Sequence, residues 1–228
     1  MHKTMGRMVA LLACLSLLNA AFAAGESKPV NVAAYKETIR VACIGDSITA
    51  GGGGYVPMLQ ETLGSKWQVT NFGVSGATLL RNGDKPFNRL GEYARALELK
   101  PDVATIALGT NDSKPGNWSK KAEFEADYKA MIADLRKANP KVIIYCCLPP
   151  PAFGNKWGID GNVIKGEMSQ SILKIAKETK CNVVDLHAAL DGKGDHLRDG
   201  VHPNGDGLKL MAAAIYKALT GKAMPAGN

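Results

Sequence analysis

Four short stretches of this 228-residue sequence hold the residue types that acyl transfer needs. Gly45-Asp46-Ser47-Ile48-Thr49-Ala50-Gly51 puts a serine behind a β-rich apolar run and ahead of a helix start. Asp199-Gly200-Val201-His202-Pro203 puts a carboxylate and an imidazole on one short turn. That spacing lets Asp199 accept from one ring nitrogen of His202 while the other nitrogen deprotonates a hydroxyl. Gly109-Thr110-Asn111-Asp112 supplies a side-chain amide, and Asn71-Phe72-Gly73-Val74-Ser75-Gly76 a glycine turn whose backbone N–H can face an anion. A neutral serine is a poor nucleophile without an adjacent base. The oxyanion that develops on attack needs preformed donors, each worth on the order of a hundred- to a thousandfold in rate. This chemistry calls for no metal and no cofactor.

Each residue has a duller reading. Ser47 can simply cap the helix that follows. His187 and His196 compete with His202, but neither has an aspartate three residues earlier, so they read as a structural and a solvated histidine. Asp46 reads as a loop organiser. Asp191, Asp195 and His196 fit no calcium loop. Gly51 to Gly54 lacks the Lys-Ser/Thr of a phosphate loop and reads as a flexible approach to the site.

Alternating strand and helix signals must position these stretches. Ile39–Ile44, Trp67–Phe72, Val103–Leu108, Val142–Cys147 and Asn182–Leu186 read as strands. Helices are expected over Tyr55–Leu63, Asn88–Leu99, the run from Phe124 to Leu135, Val163–Lys177 and Leu208–Leu219, each with an apolar face. Phe124, Tyr128, Met131, Ile132 and Leu135 mark the clearest of these faces. Strands alternating with helices imply right-handed crossovers and a buried parallel sheet. The expectation is a three-layer α/β/α fold with about five strands in the flavodoxin-like order 2-1-3-4-5. In such a sheet the site lies beyond the carboxyl ends of the strands, where the winding reverses. Those are the loops after the first and third strands, which carry Ser47 and Asn111.

Composition allows one globular domain, with 46% hydrophobic and 21% charged residues. The net charge is +7, or +5 without Lys3 and Arg7, and the basic residues are scattered rather than gathered for nucleic acid. Residues 1–23 read as a signal peptide: a short basic region, the apolar run Met8–Leu18, and Ala21-Phe22-Ala23 before a cleavage point. A membrane anchor is the rival reading, but the run is short for a span. Lipidation at Cys14 is another, disfavoured because apolar sequence continues to Ala24. The protein is therefore expected outside the cytoplasm, secreted or periplasmic. Cys43, Cys146 and Cys147 sit in strand-like runs as small hydrophobes. Cys181 with Cys146 or Cys147 is the one disulfide worth considering.

The four stretches resemble the conserved blocks of the SGNH, or GDSL, hydrolases. Gly45 to Ile48 is similar to the first block, with Ile where the name-giving Leu stands. The turn ending at Gly76, Gly109 to Asn111-Asp112, and Asp199 to His202 match the second, third and fifth, in family order. The resemblance implies Ser47 as nucleophile, His202 as base and then acid, and Asp199 as its orienting partner. It implies an oxyanion hole from the Ser47 N–H, the Gly76 N–H and the Asn111 amide. It divides the chain into a lead-in at 24–38, a hydrolase domain at 39–221 and a tail at 222–228.

Family members include lipases, thioesterases, lysophospholipases and carbohydrate deacetylases. Trp118 and Trp157 follow the third and fourth strands, and flat aromatics at a rim stack on sugar faces. The surrounding motifs look like the exported branch of sialate or polysaccharide O-acetylesterases. The expected substrate is thus a carbohydrate bearing short acyl esters, chiefly acetyl. A lipid-type esterase, lysophospholipase or thioesterase is the runner-up, and a non-catalytic carbohydrate-binding module the reading of another class. Because the base must be neutral to accept a proton, hydrolysis should fall as pH drops through the ordinary histidine range near 6.5. A rate profile flat to about pH 4 contradicts that mechanism.

Overall fold

The computed structural model describes residues 27–51 and 54–225. The leader-like segment, its cleavage point and Cys14 lie outside the described residues, as do Gly52, Gly53 and residues 226–228. The chain runs β1 (Ile39–Gly45), a helical turn α1 (Ser47–Ala50), α2 (Tyr55–Leu63), β2 (Trp67–Gly73), α3 (Gly91–Glu98), β3 (Val103–Ala107), a second helical turn α4 (Pro115–Trp118) and α5 (Phe124–Ala138). It continues through β4 (Ile143–Leu148), the short α6 (Gly161–Val163), α7 (Ser169–Thr179), β5 (Asn182–Asp185), α8 (Leu186–Leu190) and α9 (Gly205–Thr220).

All five strands pair in parallel, in the order β2-β1-β3-β4-β5. Side chains alternate across them, so each inner strand feeds two cores. Ala42, Ile44, Ala104, Ile106, Ile144 and Cys146 pack toward α3, α5 and α7. Val41, Cys43, Val103, Tyr145 and Cys147 pack toward α2, α8 and α9. Every residue of β3 is buried, as a central strand covered on both faces requires. The three-layer α/β/α arrangement and the strand order are those expected from the sequence.

Two helices differ from the expectation. The segment Val163–Lys177 is not one helix: a π-helical turn over Ile164–Met168 separates α6 from α7. Gly166 causes it, with φ −91° and ψ −109°, outside helical geometry. Ile164, Met168, Ile172 and Ile175 are nevertheless all buried, so the apolar spacing located the packed face correctly. The expected helix over Asn88–Leu99 is a 3₁₀ turn (Phe87–Arg89) and then α3, divided at Leu90, whose backbone is extended.

The four described cysteines are free thiols. Strand alternation places Cys147 with Cys43 on the α2/α9 side, out of reach of Cys181, which packs on the opposite core. Cys146 is on Cys181's side, in the core that Cys181 packs against. The part of the lead-in that is described is sewn to the domain: the Tyr145 hydroxyl donates to Lys28 O at 2.8 Å, and Val30 N–H to Leu219 O at 2.8 Å.

Ile106 is fully buried at the centre of the sheet. Ile106→Ala should lower the free energy of unfolding by about 2–5 kcal/mol, read from urea titration.

Candidate active site

The four motif stretches meet at the carboxyl edge of the sheet. β1 ends in Gly45, and Asp46 caps α1 by accepting from the Ile48 N–H at 2.9 Å, while its carbonyl accepts from Thr49 and Ala50. Ser47 is thereby held as the first residue of a helical turn at a strand end. Its Oγ lies 2.9 Å from His202 Nε2. His202 Nδ1 lies 2.8 Å from Asp199 Oδ2. The other oxygen of Asp199 accepts the N–H groups of Val201 and His202, at 3.1 and 2.8 Å. Burial alone would raise the Asp199 carboxyl, but donation from the backbone and side chain of His202, from Val201 and from Trp157 holds it well below the usual carboxylate range. An ionised Asp199 fixes the ring orientation that leaves Nε2 facing Ser47.

The electrophilic side is built around Gly76. Gly76 has φ +79°, which a side-chain-bearing residue adopts only under strain, and this turns its backbone toward the site. Neither the Ser47 nor the Gly76 N–H has a hydrogen-bond acceptor among the described residues. One N–H of the Asn111 amide donates to Ala77 O at 3.1 Å, which ties the amide to the Gly76 turn and leaves its second N–H. Ser47, Gly76, Asn111, Trp157 and His202 line one depression of 380 Å³. A second depression of 340 Å³ opens on the other side of the Ser47–His202 pair, lined by Ile48, Arg198, Pro203 and Leu208.

Several supports carry no signal that spacing alone reveals. Asp112, fully buried, accepts from the Leu79 and Leu80 N–H groups at 3.0 and 2.7 Å, pinning the chain just beyond Gly76. Asn117 donates to Asn111 O at 2.8 Å and so steadies the residue whose amide faces the Gly76 turn.

The two tryptophans separate. Trp118 is not at the rim. It is buried on α4, edge-on to Phe124 with ring centroids 5.2 Å apart, and its indole N–H donates to Glu167 at 2.8 Å. The apolar surface of the ring drew it into the core formed by α5, so the expected stacking role is withdrawn for Trp118. Trp157 is 63% exposed and lines the depression beside Ser47. His187, after β5, lines a different hollow with Phe153 and Lys165, and only His202 among the described histidines contacts Ser47. Asp46 is the loop organiser expected of it.

Two buried carboxyls underlie this edge. Burial pushes Asp112 up to about 7, against the pull of the Leu80 and Leu79 N–H groups, and Asp46 up to about 6, against the Ile48 N–H. A carboxyl that titrates higher in the folded than in the unfolded chain holds its proton preferentially when folded. Its stabilising contribution is full below the unfolded value of 3.8 and is lost as pH rises through about 7 for Asp112. Asp112→Asn removes this titration. Its stability deficit relative to the natural protein should be largest near pH 4 and shrink toward pH 8, in urea unfolding at the two pH values.

Residues 43–210 match the model of the GDSL-like lipase/acylhydrolase family. The chain is 40% identical over 211 residues to an acetylxylan esterase of Xylanibacter ruminicola, a match covering 81% of this chain and 44% of the relative. It is 26% identical over 226 residues to a multidomain esterase of Ruminococcus flavefaciens, covering 81% of this chain and 29% of that one. The chain therefore spans less than half the length of these two curated relatives. Among solved structures, that of an acetyl xylan esterase is similar at 26% identity with a TM-score of 0.64, covering 79% of this chain and 99% of the other. With its motif residues gathered at one sheet edge and most of its length matched, this chain belongs to the GDSL-like lipase/acylhydrolase family.

Proposed function

We propose that the protein is a serine esterase that removes short acyl groups, chiefly acetyl, from a carbohydrate. One observation carries the proposal: the unbroken Ser47–His202–Asp199 relay opens beside two backbone N–H groups that have no acceptor among the described residues. Ser47 Oγ attacks the ester carbonyl carbon as His202 Nε2 takes its proton. The carbonyl oxygen, now negative, is held by the Ser47 and Gly76 N–H groups and the Asn111 amide. Collapse breaks the bond to the sugar oxygen, which receives the proton from His202, and the acyl group stays on Ser47. Water, deprotonated by His202, attacks that ester; the bond to Ser47 Oγ breaks, Oγ takes the proton back from His202, and the carboxylic acid leaves.

The substrate class rests on three supports. The 40%-identical relative and the solved neighbour are an acetylxylan and an acetyl xylan esterase. The depression beside Ser47 has Ser75, Thr110, Asn111 and Lys114 in its lining, a polar set suited to hydroxyl groups. Trp157 offers an exposed flat ring at its edge. Acetylated polysaccharide is the first substrate to test, and O-acetylated sialic acid the second. Export belongs to the same proposal, since polysaccharide is met outside the cell; protein recovered outside the cytoplasm should begin at Ala24 by mass spectrometry.

The natural protein should hydrolyse p-nitrophenyl acetate in preference to p-nitrophenyl palmitate and release acetate from acetylated xylan. Ser47→Ala should lower the rate by a factor on the order of 10³ or more, and Asn111→Ala should lower kcat by about 10²–10³. Preference for the palmitate ester selects the lipid-type reading instead. Sugar binding with no ester hydrolysed selects the binding module.

A further inference from the structure

The loop 149–160, between β4 and α6, holds both large hydrophobic side chains that are exposed among the described residues, Phe153 and Trp157. It is tied to the loop carrying Asp199 and His202 at two points. The Phe153 N–H donates to Gly200 O at 2.8 Å, and the Trp157 indole N–H donates to Asp199 Oδ2 at 3.2 Å. The first tie leaves no room between the loops: a Cβ on Gly200 would stand 2.1 Å from Phe153 O, and Gly200 itself has φ +81°. The second tie ends on the oxygen that also accepts from His202 Nδ1. Trp157 reaches it from a left-handed backbone, φ 62° and ψ 11°, which a bulky residue adopts only where its surroundings impose it.

Asp199 thus has four donors: two backbone N–H groups on Oδ1, and an imidazole and an indole on Oδ2. The indole ring meanwhile leaves most of its surface open beside Ser47. We propose that Trp157 is a positioning residue whose indole N–H locks the Asp199 carboxylate, so that a sugar ring stacked on its face steadies the Asp199–His202–Ser47 relay. This rests on the esterase reading above. It assigns to one side chain a role in binding and a role in chemistry that can be measured apart.

Trp157→Phe keeps a flat face and removes the N–H; Trp157→Ala removes both. p-Nitrophenyl acetate has no sugar and reports on the relay alone. With this ester, Trp157→Phe should lower kcat about fivefold, the worth of one ordinary hydrogen bond, with KM near that of the natural protein. The acid limb of its kcat/KM profile should move to higher pH, because a carboxylate with one donor fewer holds an imidazolium more tightly. The other charged groups around the relay are Asp46 beneath it, Arg198 on the same loop and Lys114 across the depression, and the substitution leaves all three in place. The most downfield imidazole N–H proton resonance, from the His202–Asp199 contact, should shift in Trp157→Phe, a readout that needs no turnover. On acetylated xylan, Trp157→Ala should add a rise in KM that Trp157→Phe does not show. An unchanged kcat, acid limb and proton resonance in Trp157→Phe overturns the positioning role. Retained hydrolysis in Ser47→Ala overturns the esterase reading instead, so the two failures are distinct.

Discussion

A serine hydroxyl does nothing to an ester until a base touches it, and here that touch spans 155 residues of sequence at 2.9 Å. Local structure cannot make such a contact; topology must. β1 stands inside the sheet with its carboxyl end open, and the chain winds outward through β2 on one side and β3, β4 and β5 on the other. The reversal between β1 and β3 leaves a crevice into which the loops after both strands project. His202 then arrives from the far end of the chain because α9 packs against α2 on the layer that also covers β1. The whole sheet serves as the jig for one hydrogen bond.

Holding the loops over that crevice requires polar groups where water is absent. Asp46, Thr110, Asn111, Asp112, Ser113 and Asn117 are all buried beneath the catalytic edge. A buried polar group without a partner costs about 1–3 kcal/mol, so these side chains must bond to one another and to the backbone. Four of them do so in a way that fixes separate segments, whereas Asp46 Oδ2 has no partner among the described residues: Asp112 bonds to Leu79 and Leu80, Asn111 to Ala77, Asn117 to Asn111, Ser113 to Asp160. The Gly76 turn and the Asn111 amide are thereby set by bonds that neighbouring residues make. Such preorganisation spares reorganisation at the moment charge develops.

The sequence made the frame and the residues that meet at the candidate site legible for physical reasons. Strands such as β3 and β4 are covered on both faces and read as near-continuous apolar runs; α5 wears its periodicity openly. Asp199 and His202 stand on one turn, so their spacing is local information. What stayed hidden depends on distant partners. Trp118 looked like a rim aromatic because it follows a strand near a motif, but Phe124 and Glu167, from other elements, draw it inward. The π-turn at Gly166 breaks a helix whose apolar spacing is continuous, since the buried face is satisfied either way. The contact between Trp157 and Asp199 joins positions 42 apart with no periodicity to betray it.

The tie between Val30 and Leu219 has a bearing on architecture. α9 leaves the catalytic edge at Gly205 and runs sixteen residues, a rise of about 24 Å, to reach that tie. Both ends of the folded region therefore emerge side by side, at the rear of the molecule. A unit with paired exits and a working face turned the other way can be spliced into a larger polypeptide like a bead on a thread, and neighbouring modules need not shadow the crevice.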